Sequence, residues 1–462
     1  MKWIAYNILF ALAFPLMLPG FLVRMLRRGG YRARMGDRFA IYPRRVVERF
    51  SRGNVLFGHD LRDCVKVAKQ NNGFVWIHAV SVGEVQVAGQ LMREWRKVEP
   101  EVRFCFSTTS STGWKMAERE LGERDELIYN PLDFPSFVKG ALALVRPRAV
   151  VLTESEIWPV FVRAAKRCGA GLFLINARVS DRSAPRYAKA RWLFKDVFCA
   201  FDAIFAQSDI DRNRLVAAGA PAEKITVSGS FKFDVARRIP AKEAELREWL
   251  GESASARILL GGSTWPGEDQ ALLRIYSRLR QEYGSKHRIV LVIAPRHFEK
   301  ADEVEANIRK YGFACVRRSR EVEKRGVGGQ RCEDSAVHLH LSSPPVYLAD
   351  TTGELMGLYG IADFVFVGKS LSCHGGQNMI EPCLCGKPTV VGPNTENFRP
   401  VMSDLLAARG IVQVDDEGSL ERTIRDWFEN GDNGLGERAA QAVRRRLGVV
   451  SDCVASIREA LK

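Results

Sequence analysis

Between Gly73 and Asp234, short apolar runs alternate with stretches of helical periodicity, and this alternation constrains the fold of the 462-residue chain more than any other feature. A strand buried on both faces reads as a continuous apolar run, and parallel neighbours need a helical crossover between them. The pattern therefore predicts an α/β fold, a parallel sheet with helices on both faces. Strands are expected from Val75 to Ala79, Arg103 to Ser107, Ala149 to Thr153, Gly171 to Ile175, Ala203 to Ala206 and Ile225 to Val227. The pattern loosens in the basic stretch from Phe231 to Lys242 and resumes at Arg257, with strands expected from Ile258 to Gly261, Ile289 to Ala294 and Ala362 to Val367. A chain of this length exceeds one hydrophobic core, so the loosened stretch reads as a domain boundary. Arg317 to Pro345 is charged and lacks helical periodicity, which reads as a surface excursion. The last segment, Ser419 to Leu461, reads as helical.

In an open parallel sheet ligands sit at the carboxyl edge of the strands, so the residues that follow each run carry the functional reading. After the first come Ser81, Val82, Gly83 and Glu84, which put a carboxylate in the first turn of a helix. Glu84 is the candidate general base. The same four residues also fit a capping box, with Ser81 at the N-cap and Glu84 three positions later, and the two readings stand side by side. A hydroxyl cluster from Thr108 to Thr112 follows the second run. Thr153, Glu154, Ser155 and Glu156 follow the third, and Asn176, Arg178 and Arg182 stand after the fourth. Carboxylates, hydroxyls and arginines gathered at one edge suit a polar substrate.

In the second half, the runs empty into Gly262-Ser263-Thr264, Pro295-Arg296-His297 and Gly368-Lys369-Ser370. The stretch Gly375-Gly376-Gln377-Asn378-Met379-Ile380-Glu381-Pro382 is the most informative there. Paired glycines let backbone approach a ligand, and a helix starting near Asn378 would offer free N–H groups to phosphate. Glu381 suits ribose hydroxyls, or is simply a solvated helix residue. Arg296 adds a fork of donors, and Lys232 reaches in from the boundary segment. No G-x-G-x-x-G and no Walker motif is present, which removes the usual signs of dinucleotide and triphosphate sites.

The N-terminus adds a membrane. Trp3 to Val23 is apolar apart from Asn7, Gly20 and two prolines, and Arg24, Arg27, Arg28, Arg32, Arg34 and Arg38 follow. This reads as an uncleaved anchor whose arginines hold the body on the cytoplasmic face, against anionic headgroups. Pro15 and Pro19 leave open whether it spans the bilayer or lies in the interface. The net charge of +15 and pI near 9.5 suit an acidic partner: nucleic acid, anionic lipid or a phosphorylated substrate. The ten cysteines are scattered without metal-ligand spacing and read as reduced thiols, with no metal site.

The motifs Trp76 to Glu84, Glu154 to Pro159, Asn176 to Ser183, Phe231 to Asp234, Gly262 to Thr264, Ala294 to His297 and Gly375 to Pro382 together resemble the 3-deoxy-D-manno-octulosonic acid (Kdo) transferase family of lipopolysaccharide synthesis. The resemblance implies a GT-B fold, two Rossmann-like doubly wound domains facing across a cleft, behind an N-terminal membrane anchor. Mapped on this chain, that is an anchor with a basic segment at 1–38, an acceptor-side domain at 39–236 and a donor domain with a C-terminal helix at 237–462. It implies that Glu84 and Glu154 are catalytic. Ser263, Thr264, Arg296, Gly375, Gly376, Asn378 and Glu381, with Lys232, would bind the donor, and Ser81, Gly83 and Arg178 would lie on the acceptor side. The implied reaction is inverting transfer of Kdo from CMP-Kdo to a lipid A precursor, lipid IV(A), at the inner membrane, needing neither metal nor cofactor. Lys369, Gln377 and Ser230 depart from the family's usual glycine, histidine and asparagine, which bears on donor affinity. The rivals are another GT-B glycosyltransferase, a nucleotide-sugar epimerase or an inactive scaffold. A nucleic-acid binder fits less well, because the arginines cluster beside the anchor and in the last helix without interleaved aromatics.

Overall fold

The computed structural model describes residues 3–4, 6–12, 15–16, 19–20, 32–51, 73–235, 240–251, 256–284, 287–326 and 345–462. They form two units, Met1–Val235 with Gly448–Lys462, and Ala236–Leu447. Among the described residues each unit is built on one seven-stranded sheet in which every pairing is parallel.

In the first unit the strands are β1 (Phe74–His78), β2 (Phe104–Thr108), β3 (Glu126–Tyr129), β4 (Pro147–Thr153), β5 (Gly171–Ala177), β6 (Ala203–Ala206) and β7 (Ile225–Val227), in the order β3-β2-β1-β4-β5-β6-β7. The apolar runs fill both faces because side chains alternate along a strand. Phe74 and Trp76 point into a core shared with the helices Pro135–Val145 and Pro159–Arg167. Val75 and Ile77 enter another beneath the helix Val82–Val98, whose Val85, Ala88, Leu91, Met92 and Trp95 are fully buried. β3 was not anticipated, because four residues opening on a glutamate carry no readable period. Its ends are clipped by side chains: Asp125 accepts from Phe104 N at 2.9 Å and Asp37 from Tyr129 N at 3.1 Å.

The second unit carries β8 (Arg257–Thr264), β9 (Ile289–Pro295), β10 (Cys315–Arg317), β11 (Val346–Leu348), β12 (Phe364–Val367), β13 (Thr389–Val391) and β14 (Val412–Gln413), in the order β10-β11-β9-β8-β12-β13-β14. The sequence indicated β8, β9 and β12; the others have two or three residues. The region from Arg317 is not wholly a surface excursion. Arg318 is fully buried, its guanidinium held by Glu354 at 2.9 Å and by Glu245 and stacked over Trp249, and residues 318–326 are helical. Paired carboxylates make this burial possible where sequence alone shows only charge. Residues 327–344 of that stretch lie outside the described ones.

Three findings revise the expected boundaries. The helix Val449–Ala460, assigned from sequence to the second domain, buries Val450, Cys453, Val454 and Ile457 against the first sheet's face and belongs to the first unit. The segment Arg32–Phe39 packs on β3. Within it Arg34 pairs with Asp37 and donates to Leu127 O, while Arg38 donates to Thr109 O at 2.7 Å and lies over Tyr129. These two arginines are buried structural cations and do not face headgroups; Arg24, Arg27 and Arg28 lie outside the described residues, and of Arg32 only the backbone is described. Third, among the described residues no helix is long and apolar enough to cross a membrane. The described positions of Trp3 to Gly20 are helical, and 5, 13, 14, 17, 18 and 21–23 of the expected anchor are not among them. One side of this segment is fastened to the first unit: Trp3 lies under Arg163 at 3.7 Å, Tyr6 Oη donates to Asp133 at 3.2 Å, and Phe10 meets Phe134 at 5.1 Å. On its other side Ile4, Leu9, Leu12 and Leu16 are 65%, 72%, 68% and 84% exposed.

The return of the chain to the first unit hangs on one carboxylate. Asp234 accepts from Gly448 N and Val450 N, both at 2.7 Å, and so caps the last helix. Asp234→Ala is expected to lower the unfolding free energy by about 1–2 kcal/mol, the cost of losing an N-terminal cap. Hydrogen exchange should show amide protection lost first in 449–460, and unchanged protection there would rule the capping role out.

Candidate functional site

Both sheets reverse their strand order beside their first strand, and such a switch point leaves a crevice at the carboxyl edge. In the first sheet the crevice lies between β1 and β4, in the second between β8 and β12. The candidate residues gather at these two places.

At the first, Ser81 caps the helix Val82–Val98 and Glu84 stands in its opening turn. Ser81 Oγ accepts from Glu84 N at 3.3 Å and donates to Glu84 Oε1 at 2.7 Å, while Val80 N donates to Glu84 Oε2 at 3.0 Å. The capping interaction is therefore present. It does not exhaust the carboxylate, because Thr153 Oγ1 from the end of β4 also donates to Oε2 at 3.2 Å. A carboxylate has about four acceptor positions, and three are taken. Glu84 is 8% exposed, and Ser81 and Gly83 are exposed beside it.

Glu154 follows β4 in a left-handed backbone conformation with φ +51°, and Asn176 on β5 shares that conformation. Asn176 Nδ2 donates to Glu154 Oε1 at 3.3 Å and its Oδ1 accepts from Phe231 N at 3.1 Å, so a fully buried amide orients the carboxylate. Burial raises the Glu154 carboxyl above the usual range, Lys232 and Arg178 oppose this, and Glu84 adds to it. Lys232, expected to reach the donor from the boundary segment, stands in the first unit beside Glu154, its ammonium pushed down by burial. Ser230 Oγ accepts from Lys232 N at 3.4 Å and opens that short helix.

Two members of this cluster were not selected from sequence. Glu156 is raised to about 7, first by burial and then by the charges of Glu84 and Glu154. Its Oε2 lies 3.9 Å from Nε2 of His78, a fully buried histidine lowered to about 4 by burial. His78 Nδ1 is occupied by Ser107 Oγ at 2.9 Å, and Nε2 has no hydrogen-bond partner. Two separate motifs contain these residues, and their approach is set by the pairing of β1 with its neighbours, where Ser107 holds the other ring nitrogen of His78.

At the second switch point Thr264 is buried and Ser263 half-buried, with φ +54° at Ser263. Arg296 follows β9, its N donating to Thr264 O at 3.0 Å and its side chain exposed. Beyond β12 the chain reaches Gly375 and Gly376, with φ of +112° and +71°. A Cβ on Gly375 would meet Asn397 Nδ2 at 2.5 Å, so only glycine fits that turn. Gly376 N donates to Lys369 O at 3.1 Å, which folds the turn back onto the end of β12. The helix expected near Asn378 begins at Ile380 and runs only to Leu384, too short for a strong dipole. Asn378 instead turns the chain, accepting from Ile380 N at 3.1 Å and donating to Glu381 Oε1 at 3.0 Å. Glu381 is half-buried and raised by burial, so it is not a freely solvated residue.

Residues 34–235 match the family described as "3-Deoxy-D-manno-octulosonic-acid transferase (kdotransferase)". The chain is 35% identical to the 3-deoxy-D-manno-octulosonic acid transferase of Bordetella pertussis, over 76% of this chain and 78% of that one. It is 30% identical to that of Haemophilus influenzae over the same shares. Among solved structures, Anabaena Alr3699/HepE in complex with UDP superposes with a TM-score of 0.55 at 14% identity, covering 84% of this chain and 99% of that one. UDP-GlcNAc 2-epimerase from Neisseria meningitidis gives 0.55 at 13%, covering 83% and 99%. At that identity the likeness concerns the fold, the paired parallel sheets of GT-B proteins.

The Glu156 carboxyl sets a pH dependence. Its folded value lies above the unfolded one of 4.5, so its contribution to stability is complete below about pH 4.5 and is lost as pH rises through about 7. Glu156→Gln cannot ionise, and the melting temperature of the variant relative to the parent should rise between about pH 5 and pH 8. A difference that stays flat over this range would contradict the burial of Glu156.

Proposed function

The chain belongs to the 3-deoxy-D-manno-octulosonic acid transferase family, and on that premise we propose that it moves Kdo from CMP-Kdo to a hydroxyl of a lipid A precursor with inversion at the anomeric carbon. The observation that carries this reading is the Glu84 carboxylate, held by three donors at a switch point with one acceptor position left. That position suits the proton of an acceptor hydroxyl, which moves to Glu84 as the hydroxyl oxygen bonds the anomeric carbon. The bond from that carbon to the phosphate oxygen breaks, and its electron pair leaves with CMP. Division of labour follows the chemistry. The first unit supplies the base, with Glu154 and Lys232 beside it and Arg178 offering a cation to a phosphorylated acceptor. The second supplies Ser263, Thr264, Arg296 and the Gly375-Gly376 turn for the nucleotide, with Glu381 as an acceptor for ribose hydroxyls.

The acceptor is a lipid, and the apolar side of residues 4–16 suits contact with the cytoplasmic face of an anionic inner membrane. With Trp3, Tyr6 and Phe10 tied to the protein, this segment fits an interfacial position, its free side in the boundary between headgroups and acyl chains. Leu9→Glu with Leu12→Glu should weaken sedimentation with anionic vesicles while CMP binding stays intact. Undiminished vesicle binding would remove this segment from the contact.

The function is tested with CMP-Kdo and a tetraacylated lipid A precursor, measuring CMP release and product mass. Glu84→Gln keeps an acceptor for the cap and should lower kcat by roughly 10²–10⁴-fold with the fold intact. Glu84→Ala leaves Val80 N without its acceptor, while Thr153 Oγ1 keeps His78 O at 2.9 Å, and should in addition cost about 1–3 kcal/mol of stability. Full activity of Glu84→Gln would take Glu84 out of the reaction.

A further inference from the structure

Several arginines of the second unit are matched to acids: Arg274 to Glu417, Arg317 to Asp350, Arg318 to Glu354. The second switch point is different. Lys369, the second residue after β12, has no carboxylate within ion-pair distance among the described residues, and neither has Arg296 after β9. Lys369 is half-buried, and its backbone is left-handed, with φ +57°, a conformation that favours glycine.

The surroundings hold this lysine in place. Glu268, 1% exposed, accepts from Trp265 N and Lys369 N at 2.8 Å with one oxygen, and from Ser370 N at 3.1 Å, Leu371 N at 3.0 Å and Ser372 N at 3.3 Å with the other. Five amides thus converge on one internal carboxylate and fix the loop after β12 against the end of β8. From this loop the Lys369 side chain crosses the switch point. Its Nζ lies 4.7 Å from the Trp265 ring centroid and 3.4 Å from where a Cβ on Gly375 would stand. The ammonium is therefore held between an indole face and the glycine turn, with no carboxylate in ion-pair distance among the described residues.

We propose that Lys369 is a specificity-determining residue of the donor site, an ammonium that neutralises the phosphate of the bound nucleotide and the charge gathering on it as CMP departs. This rests on the CMP-Kdo reading given above. A lysine acts on phosphate as a point charge without a fixed fork, which suits a group whose charge grows during the reaction. The indole beneath limits where the ammonium can go.

The competing role is structural, a prop for Trp265, and the two separate on ligands with and without phosphate. Binding of CMP and of cytidine to the full-length protein is measured by calorimetry for the parent, Lys369→Ala and Lys369→Arg. The expected result is a CMP affinity at least roughly tenfold weaker in Lys369→Ala, cytidine affinity unchanged, partial recovery in Lys369→Arg, and a difference that shrinks with added salt. Equal weakening for both ligands overturns the proposal in favour of the prop, and unchanged CMP affinity overturns it outright. A parent protein that binds no CMP overturns the donor assignment and this inference together, whereas CMP binding indifferent to Lys369 overturns the inference alone.

Discussion

A parallel sheet delivers the carboxyl end of every strand to one edge, and the reversal of strand order opens that edge in one place. The candidate residues of both units gather at that edge. β1 and β4 diverge because their crossover helices pack on opposite faces, and the gap receives Glu84 from one strand and Thr153 from the other. Their hydrogen bond at 3.2 Å spans 69 residues of sequence. The cap alone would leave Glu84 an ordinary helix residue, whereas the bond from β4 fixes its carboxylate at the sheet edge. In the second unit β8 and β12 repeat the arrangement, with Glu268 in the first turn of the helix after β8 accepting from Lys369 N beyond β12 at 2.8 Å.

Backbone strain marks the same edges. Glu154, Asn176, Ser263 and Lys369 are non-glycine residues with positive φ, and each stands at or just beyond a strand's carboxyl end. Such conformations cost on the order of 1–3 kcal/mol each and persist where neighbours over-determine them. The neighbours are identifiable. Asn176 is held through its side chain by Phe231 N and Glu154, and Lys369 through its amide by Glu268. Four of the eight such residues among the described ones thus stand at these strand ends, while Ala40, Arg146, Arg409 and Asn433 lie elsewhere.

The long runs were legible because burial on both faces leaves a strand no polar position, so β1, β2, β4, β5, β8 and β9 announce themselves. β10, β13 and β14 are too short to show a period, and their place is set by neighbours already formed. Glu84 was legible as cap and as candidate base, since both roles need the same carboxylate in the first helical turn. His78 and Glu156 were not, because their significance is a 3.9 Å approach enforced by strand pairing. Arg34 and Arg38 misled for the converse reason. Next to an apolar run, arginines read as headgroup contacts, and only the acceptors at Asp37, Leu127 O and Thr109 O make them internal.

The segment Phe231 to Asp234 shows how little chain can couple these features. Phe231 is fully buried beneath the first sheet, and its amide holds the asparagine that orients Glu154. Lys232 turns its ammonium toward that same carboxylate. Asp234 then caps the last helix, so the point where the chain leaves the first unit and the point where it returns are fastened to one side chain. A substitution at Asp234 would loosen the helix that packs on β5 and on the helix Val82–Val98, which carries Glu84 in its first turn. The acidic end of that motif is thus a structural clasp, two residues from the lysine that faces Glu154.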